Sequence, residues 1–195
     1  MTIRHTTIWL LLTLALIAPP AQSQTTSMDS WFRMSPRRGD FRASAPWKLF
    51  NIELPEDWQL VPGYNSTLLI ATEKRGNQPG GAIVIEHTLN IQPLGPENIN
   101  PRLATNEADY AKQRDTGGKD FQQEIKDVNN QRFMLIQYSR GGLIATDRVA
   151  LYVFPAGKTM YRLICIAPEK EMVPKYQQIF AHVAWSFKPV ISTAN

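Results

Sequence analysis

The chain has 195 residues, a formal net charge of +4 and a single cysteine, with 10% aromatic and 19% charged residues. That length accommodates one ordinary domain and not two, and the lone cysteine rules out an intramolecular disulfide, so the core has to be held by packing. The basic bias is mild, and without a Lys/Arg stripe, zinc-finger spacing or an aromatic RNA-binding signature it excludes nucleic acid as a partner class.

Arg4 and His5 precede an apolar run over residues 8–18, then Pro19-Pro20 and the small-residue pattern Ala21-Gln22-Ser23. The run has the length of a secretory h-region and falls short of the roughly 20 residues that a membrane-spanning helix needs. Residues 1–23 are therefore expected to be a signal peptide. No cysteine stands directly after the cleavage site, so the mature chain is expected to be exported, periplasmic or extracellular and soluble after cleavage, and not a lipoprotein. It carries +3 once Arg4 is removed.

Residues 24–45 show no period of 2.0 or 3.6, and Pro36 and Gly39 interrupt them. They are expected to form a flexible basic and aromatic arm. Trp31, Phe32, Arg33, Arg37, Arg38, Phe41 and Arg42 are the candidate interaction residues, suited to a protein partner in the envelope or to peripheral contact with an acidic membrane surface. The plainer reading is a linker whose aromatic residues tuck back against the domain.

A single domain is expected over residues 46–190. Its first strand is predicted over 47–54, stopped by Pro55, after which Trp58 returns the chain to the core. Strands over 67–74 and 82–90 flank a Gly/Pro-rich connector and are predicted to pair as an antiparallel hairpin. Asn100-Pro101 supplies an N-cap and first helical position for a helix over 102–115, ended by Gly117-Gly118. Strands over 121–128, 132–138, 147–154 and 159–167 follow, separated by Asn129-Asn130, Gly141-Gly142 and Pro155-Ala156-Gly157. Ser139-Arg140-Gly141-Gly142 reads as a turn. In the last strands both alternating sets are apolar, so both faces of the sheet need a cover. Val173, Tyr176, Ile179, Phe180, Val183 and Phe187 recur at helical spacing and supply one of them over 169–186. Cys165 reads as a small buried hydrophobe in a strand.

The segment Phe50-Asn51-Ile52-Glu53-Leu54-Pro55-Glu56-Asp57-Trp58 and the terminal segment Phe180-Ala181-His182-Val183-Ala184-Trp185-Ser186-Phe187 resemble those of the PsbP-like, DcrB-like and Ran-binding Mog proteins, and the element order between them agrees. The resemblance covers about residues 47–188 and implies an α+β PsbP-like sandwich, an antiparallel sheet of about six to seven strands flanked by helices. It further implies an interaction or accessory protein, since members of that group are mostly non-enzymatic.

The chemistry-bearing residues are sparse. His87 and His182 show no metal-ligand spacing, and neighbouring Glu86 and His87 should face opposite sides of a strand. His87 is expected to be a packed or edge histidine, and His182 a solvated one. There is no Gly-x-Ser-x-Gly elbow and no phosphate-cradling glycine pattern. Asp109, Asp115, Glu124 and Asp127 are expected on solvated surfaces, with Asp109 and Gln113 as a helix-face pair. No catalytic, metal or cofactor residue is assigned. The expectation is an exported non-enzymatic accessory or interaction protein of the cell envelope acting through protein binding, of undetermined oligomeric state. The alternatives are a small hydrolase, using His87 or a loop group, and a periplasmic small-molecule carrier.

Overall fold

A strand whose side chains are apolar on both parities is stable only where both faces of its sheet are covered, and residues 149–154 set that condition. The structure is a computed structural model that describes residues 49–76, 80–128, 130–142 and 145–190, with 31–34 described by backbone alone. The strands are β1 (Trp31–Met34), β2 (Phe50–Pro55), β3 (Trp58–Pro62), β4 (Thr67–Glu73) and β5 (Ala82–Leu94), followed by α1 (Pro101–Arg114), then β6 (Lys119–Val128), β7 (Gln131–Gly141) and β8 (Thr146–Pro168). The C-terminal segment is helical: α2 (Glu169–Glu171), a π turn (Met172–Tyr176) and α3 (Gln177–Ser186), after which Lys188–Pro189 forms β9. A six-stranded sheet runs β3-β4-β5-β8-β7-β6, and a small sheet runs β1-β2-β9. Every adjacent pair is antiparallel.

β8 is extended over 23 residues, yet it serves two neighbours, with Val153 opposite Met134 of β7 and Leu163 opposite Ile85 of β5. Phe154 and Tyr161 both lie against Phe187, at ring-centroid distances of 5.0 and 5.5 Å. Seven residues of straight strand would separate them by roughly 23 Å. The strand therefore doubles back between them, near Gly157, whose φ of +60° is readily adopted only without a Cβ. Its two arms are the two strands predicted on either side of Pro155-Ala156-Gly157.

Both faces of β8 are buried. Ala150, Tyr152, Phe154, Leu163 and Cys165 point into one core, closed by the C-terminal helical segment and by Phe50, Ile52 and Leu54 of β2. Val149, Leu151, Val153, Met160 and Ile164 point into the other, closed by Ala104, Ala108 and Ala111 of α1. Small residues on α1 let that helix lie close to the sheet. The Asn100 side chain accepts a 3.0 Å hydrogen bond from the Leu103 amide and Pro101 opens the helix, as predicted, while Lys112 and Arg114 sit in the last turn where cations oppose the helix dipole.

Several elements differ from the sequence expectation. Trp31–Met34, placed in the arm without a period, pairs with Ile52–Pro55 of β2 as an edge strand. β3 and β9 are also additional: five and two residues are too few to show a period, and pairing with β4 and β2 determines their conformation. Residues 139–141 continue β7 rather than forming a turn. The last helix is interrupted by its π turn around Pro174, which lacks an amide hydrogen to donate within a helix.

The two segments that carry the family resemblance touch each other. The Ser186 hydroxyl accepts the Glu53 amide at 2.9 Å, Trp58 meets Phe180 edge-on at 6.5 Å, and Phe50 meets Phe187 at 5.2 Å. Beside this contact Gly81 donates its amide to the Tyr176 hydroxyl at 3.0 Å, and a Cβ on Gly81 would sit 2.4 Å from the Tyr176 ring and 2.9 Å from Trp58. Gly81→Ala is expected to destabilise the fold by about 2 kcal/mol through overpacking. Thermal unfolding should show this as a Tm lowered by roughly 4–8 °C.

Candidate functional site

Charged side chains in the sheet are for the most part neutralised by the elements that cover it. On the α1 side, Arg162 of β8 donates to both carboxylate oxygens of Glu107 at 2.6 and 2.8 Å and to the Thr88 hydroxyl at 2.6 Å. Its guanidinium lies 4.2 Å from the Tyr110 ring centroid, and the Arg162 and Glu107 side chains are 7% and 8% exposed. A bidentate, stacked arginine of this kind has its donors satisfied and is structural in character.

On the other side, Glu73 at the end of β4 accepts hydrogen bonds from Lys175 and Tyr176 and pairs with Arg75, which reaches on to Glu171. Burial raises the Glu73 carboxyl, but the hydrogen bonds from Lys175 and Tyr176, together with the charges of Lys175 and Arg75, outweigh it and hold the group below its ordinary value. Back on the α1 side, Asp115, the residue that ends α1, accepts from Tyr138 and from Arg140, which also lies 3.9 Å from Asp147. Burial pushes Asp147 up, and burial with the Asp115 hydrogen bond pushes the Tyr138 phenol up.

A different arrangement lies where β7 and the first arm of β8 pass beside the start of the C-terminal helical segment. A cleft of about 390 Å³ opens there, floored by Ala150, Tyr152, Met172 and Phe180. Gln137, Arg148, Glu169 and Gln177 provide its polar lining. Ser139 and Arg148 face each other across the β7–β8 ladder, and Arg148 donates to the Ser139 hydroxyl at 2.8 Å. The same hydroxyl donates to Glu169 at 3.2 Å. Arg148 and Glu169 are thus linked through one oxygen and are not in direct ion-pair contact. Mixed apolar and polar walls of this size are typical of small-ligand sites.

The residues singled out in the sequence fall elsewhere. Of the arm, Trp31, Phe32 and Arg33 lie in β1, opposite Pro55, Leu54 and Glu53, while Arg37, Arg38, Phe41 and Arg42 lie outside the described residues. His87 is half-buried on β5 opposite Tyr161, with a buried Nδ1 that has no hydrogen-bond partner among the described residues, and it does not line the cleft. His182, expected in solvent, is half-buried with Nε2 2.9 Å from Glu53, because α3 packs on β2. Asp115 is likewise drawn from the surface by Tyr138 and Arg140. Asp109 pairs with Lys112 at 2.9 Å. Cys165 is fully buried in β8, and burial pushes its thiol well up. Among the described residues, no three of His, Cys, Asp and Glu come together to hold a metal ion, and no helix is long and apolar enough to cross a membrane.

Arg148, Ser139 and Glu169 were missed as a group. Once a turn is placed at residues 142–145, hairpin register puts Ser139 opposite Arg148, so that part was readable. Glu169 reaches them only because the second arm of β8 carries it back across the sheet.

No protein-family model matches the chain, and no curated protein is similar to it at a significant level. Among solved structures it is similar to the cyanobacterial PsbP (CyanoP) of Synechocystis sp. PCC 6803, at 11% identity over 83% of this chain and 93% of that one, with a TM-score of 0.59. A Bacteroides thetaiotaomicron structure matches at 8% identity over 74% of this chain and 46% of that one, with a TM-score of 0.51. LpqN of Mycobacterium tuberculosis, described as involved in cell envelope biogenesis, matches at 13% identity over 82% and 91%, with a TM-score of 0.48. The chain has the PsbP-like α+β fold, as the two terminal segments imply.

Two outcomes follow from the charge networks. Glu107→Gln leaves Arg162 charged and buried, so it should cost about 3–5 kcal/mol, whereas the double change Glu107→Leu with Arg162→Met should recover most of that loss in chemical denaturation. Glu73 titrates lower in the folded state than in the unfolded state, so its stabilisation is present above its ordinary value of 4.5 and is lost as pH falls through the depressed folded value. Acid titration of stability should therefore be shallower in Glu73→Gln than in the parent chain.

Proposed function

We propose that this chain is an exported, non-enzymatic accessory protein of the cell envelope that acts by binding a protein partner. The observation that carries the reading is an apolar end of the main sheet. Tyr64, Leu89 and Ile91 are 83%, 73% and 98% exposed there, and the hydrogen bond from the His87 amide to the Ser66 carbonyl brings their two segments together. Large apolar side chains left together in water mark contact surfaces. The leader-like residues 1–23 and the PsbP-like fold agree with an envelope role. The basic and aromatic segment 31–42 is proposed as a second contact, with Arg37 and Arg38 as its charged members.

Affinity capture from the native envelope tests this, using the mature chain, a form lacking residues 25–45, and the double change Leu89→Ser with Ile91→Ser. A specific protein should be recovered with the parent and lost with the double change, and weakened retention is expected from Arg37→Ala with Arg38→Ala. Equal recovery with every form would refute binding at both surfaces, and retention by acidic lipid vesicles alone would move the arm to a membrane role.

The cleft beside Arg148 favours a second reading, a carrier or sensor of a small molecule. Its apolar floor and few polar groups suit reversible binding.

A further inference from the structure

Five of the seven arginines with described side chains are paired with a carboxylate. Arg75, Arg114, Arg132, Arg140 and Arg162 each lie within 4.0 Å of a carboxylate. Among the described arginine side chains, Arg102 and Arg148 have no such partner. Arg102 is exposed on the first turn of α1, where water solvates it, but Arg148 is half-buried in the wall of the cleft and its hydrogen bond is to the neutral hydroxyl of Ser139. A guanidinium removed from much of its water, with its nearest carboxylate reached only through a hydroxyl, has donors left for a directly bound anion.

The anion would not arrive at a uniformly positive site. Glu169 lines the same cleft and is held on the other side of Ser139, which is 7% exposed and bonds to both charged groups. A simple carboxylate placed on Arg148 would also meet the Glu169 carboxylate, and a simple amine placed on Glu169 would meet the guanidinium. A ligand carrying both charges a few ångströms apart satisfies both at once. Ala150, Tyr152, Met172 and Phe180 lie alongside as an apolar floor.

We infer that the cleft binds the zwitterion of an α-amino acid with a large apolar side chain, its carboxylate on Arg148, its ammonium group on Glu169 and its side chain against Val173, with Met172 and Tyr152 beneath. The inference rests on the small-molecule reading of the cleft and names its ligand chemistry. Gln137 and Gln177 supply neutral amides at the rim, able to donate to the carboxylate or accept from the ammonium group.

Calorimetric titration of the mature protein with L-phenylalanine, N-acetyl-L-phenylalanine, L-phenylalaninamide and glycine tests this. The free amino acid should bind, with the two blocked derivatives and glycine at least about tenfold weaker, since each leaves one charged or apolar wall unmet. Arg148→Met should abolish the preference for the free amino acid over the amide, and Glu169→Gln its preference over the N-acetyl form. Glu169 is exposed, so its variant keeps the fold and the test stands even where Arg148→Met is unstable. Equal binding of free and blocked forms would overturn the zwitterion assignment and leave the small-molecule reading intact. Binding of none of them would overturn both.

Discussion

The start and the end of this domain are fastened to each other across 133 residues, and the remaining elements are arranged between them. Ser186 finishes α3 and accepts the Glu53 amide of β2, while Phe187, one residue on, drops into a ring cluster with Phe50, Phe154 and Tyr161. Each such ring contact contributes on the order of 0.5–1.5 kcal/mol beyond its buried area. The cluster also collects both arms of β8, so the terminal helix, the middle strand of the small sheet and the doubled central strand share one set of contacts. A change there would be felt in all three, because packed neighbours relax together and not separately.

Electrostatics refine this arrangement instead of creating it. Glu107 with Arg162 fixes α1 over one face, and Glu73 with Lys175 and Tyr176 fixes the π turn over the other. Both networks tie a helical cover to the sheet at a single place, and both are closed, with acceptors matched to donors. The Arg148 cleft lies in the part of the second face that α3 leaves open, where Gln137 and Arg148 extend the sheet surface beyond the helix. Its mixed charge follows from that position at the margin of a cover.

Much of the architecture was legible because it rests on local patterns. The doubly apolar run at 149–154 demanded two covers, Asn100-Pro101 marked the start of α1, and the apolar spacing from Val173 to Phe187 marked the closing helix. What escaped were elements without a local signature. β1, β3 and β9 are short and owe their conformation to the strands they meet. His182 and Asp115 read as surface residues, because nothing nearby in sequence announces Glu53 or Tyr138 as their partners. The cleft combines residues 137–152 with 169–180, so composition along either stretch could not reveal it.

The lone thiol of Cys165 sits in the second arm of β8, opposite Ile83 of β5 and with no exposed surface. Local fraying at loops or the outer strands leaves it sealed, and a solvent-borne reagent enters only when the C-terminal helical cover lifts from the sheet or the central strands separate. Its rate of alkylation is therefore a readout of core opening, an intrinsic clock for the attachment of the closing helix that requires no added label.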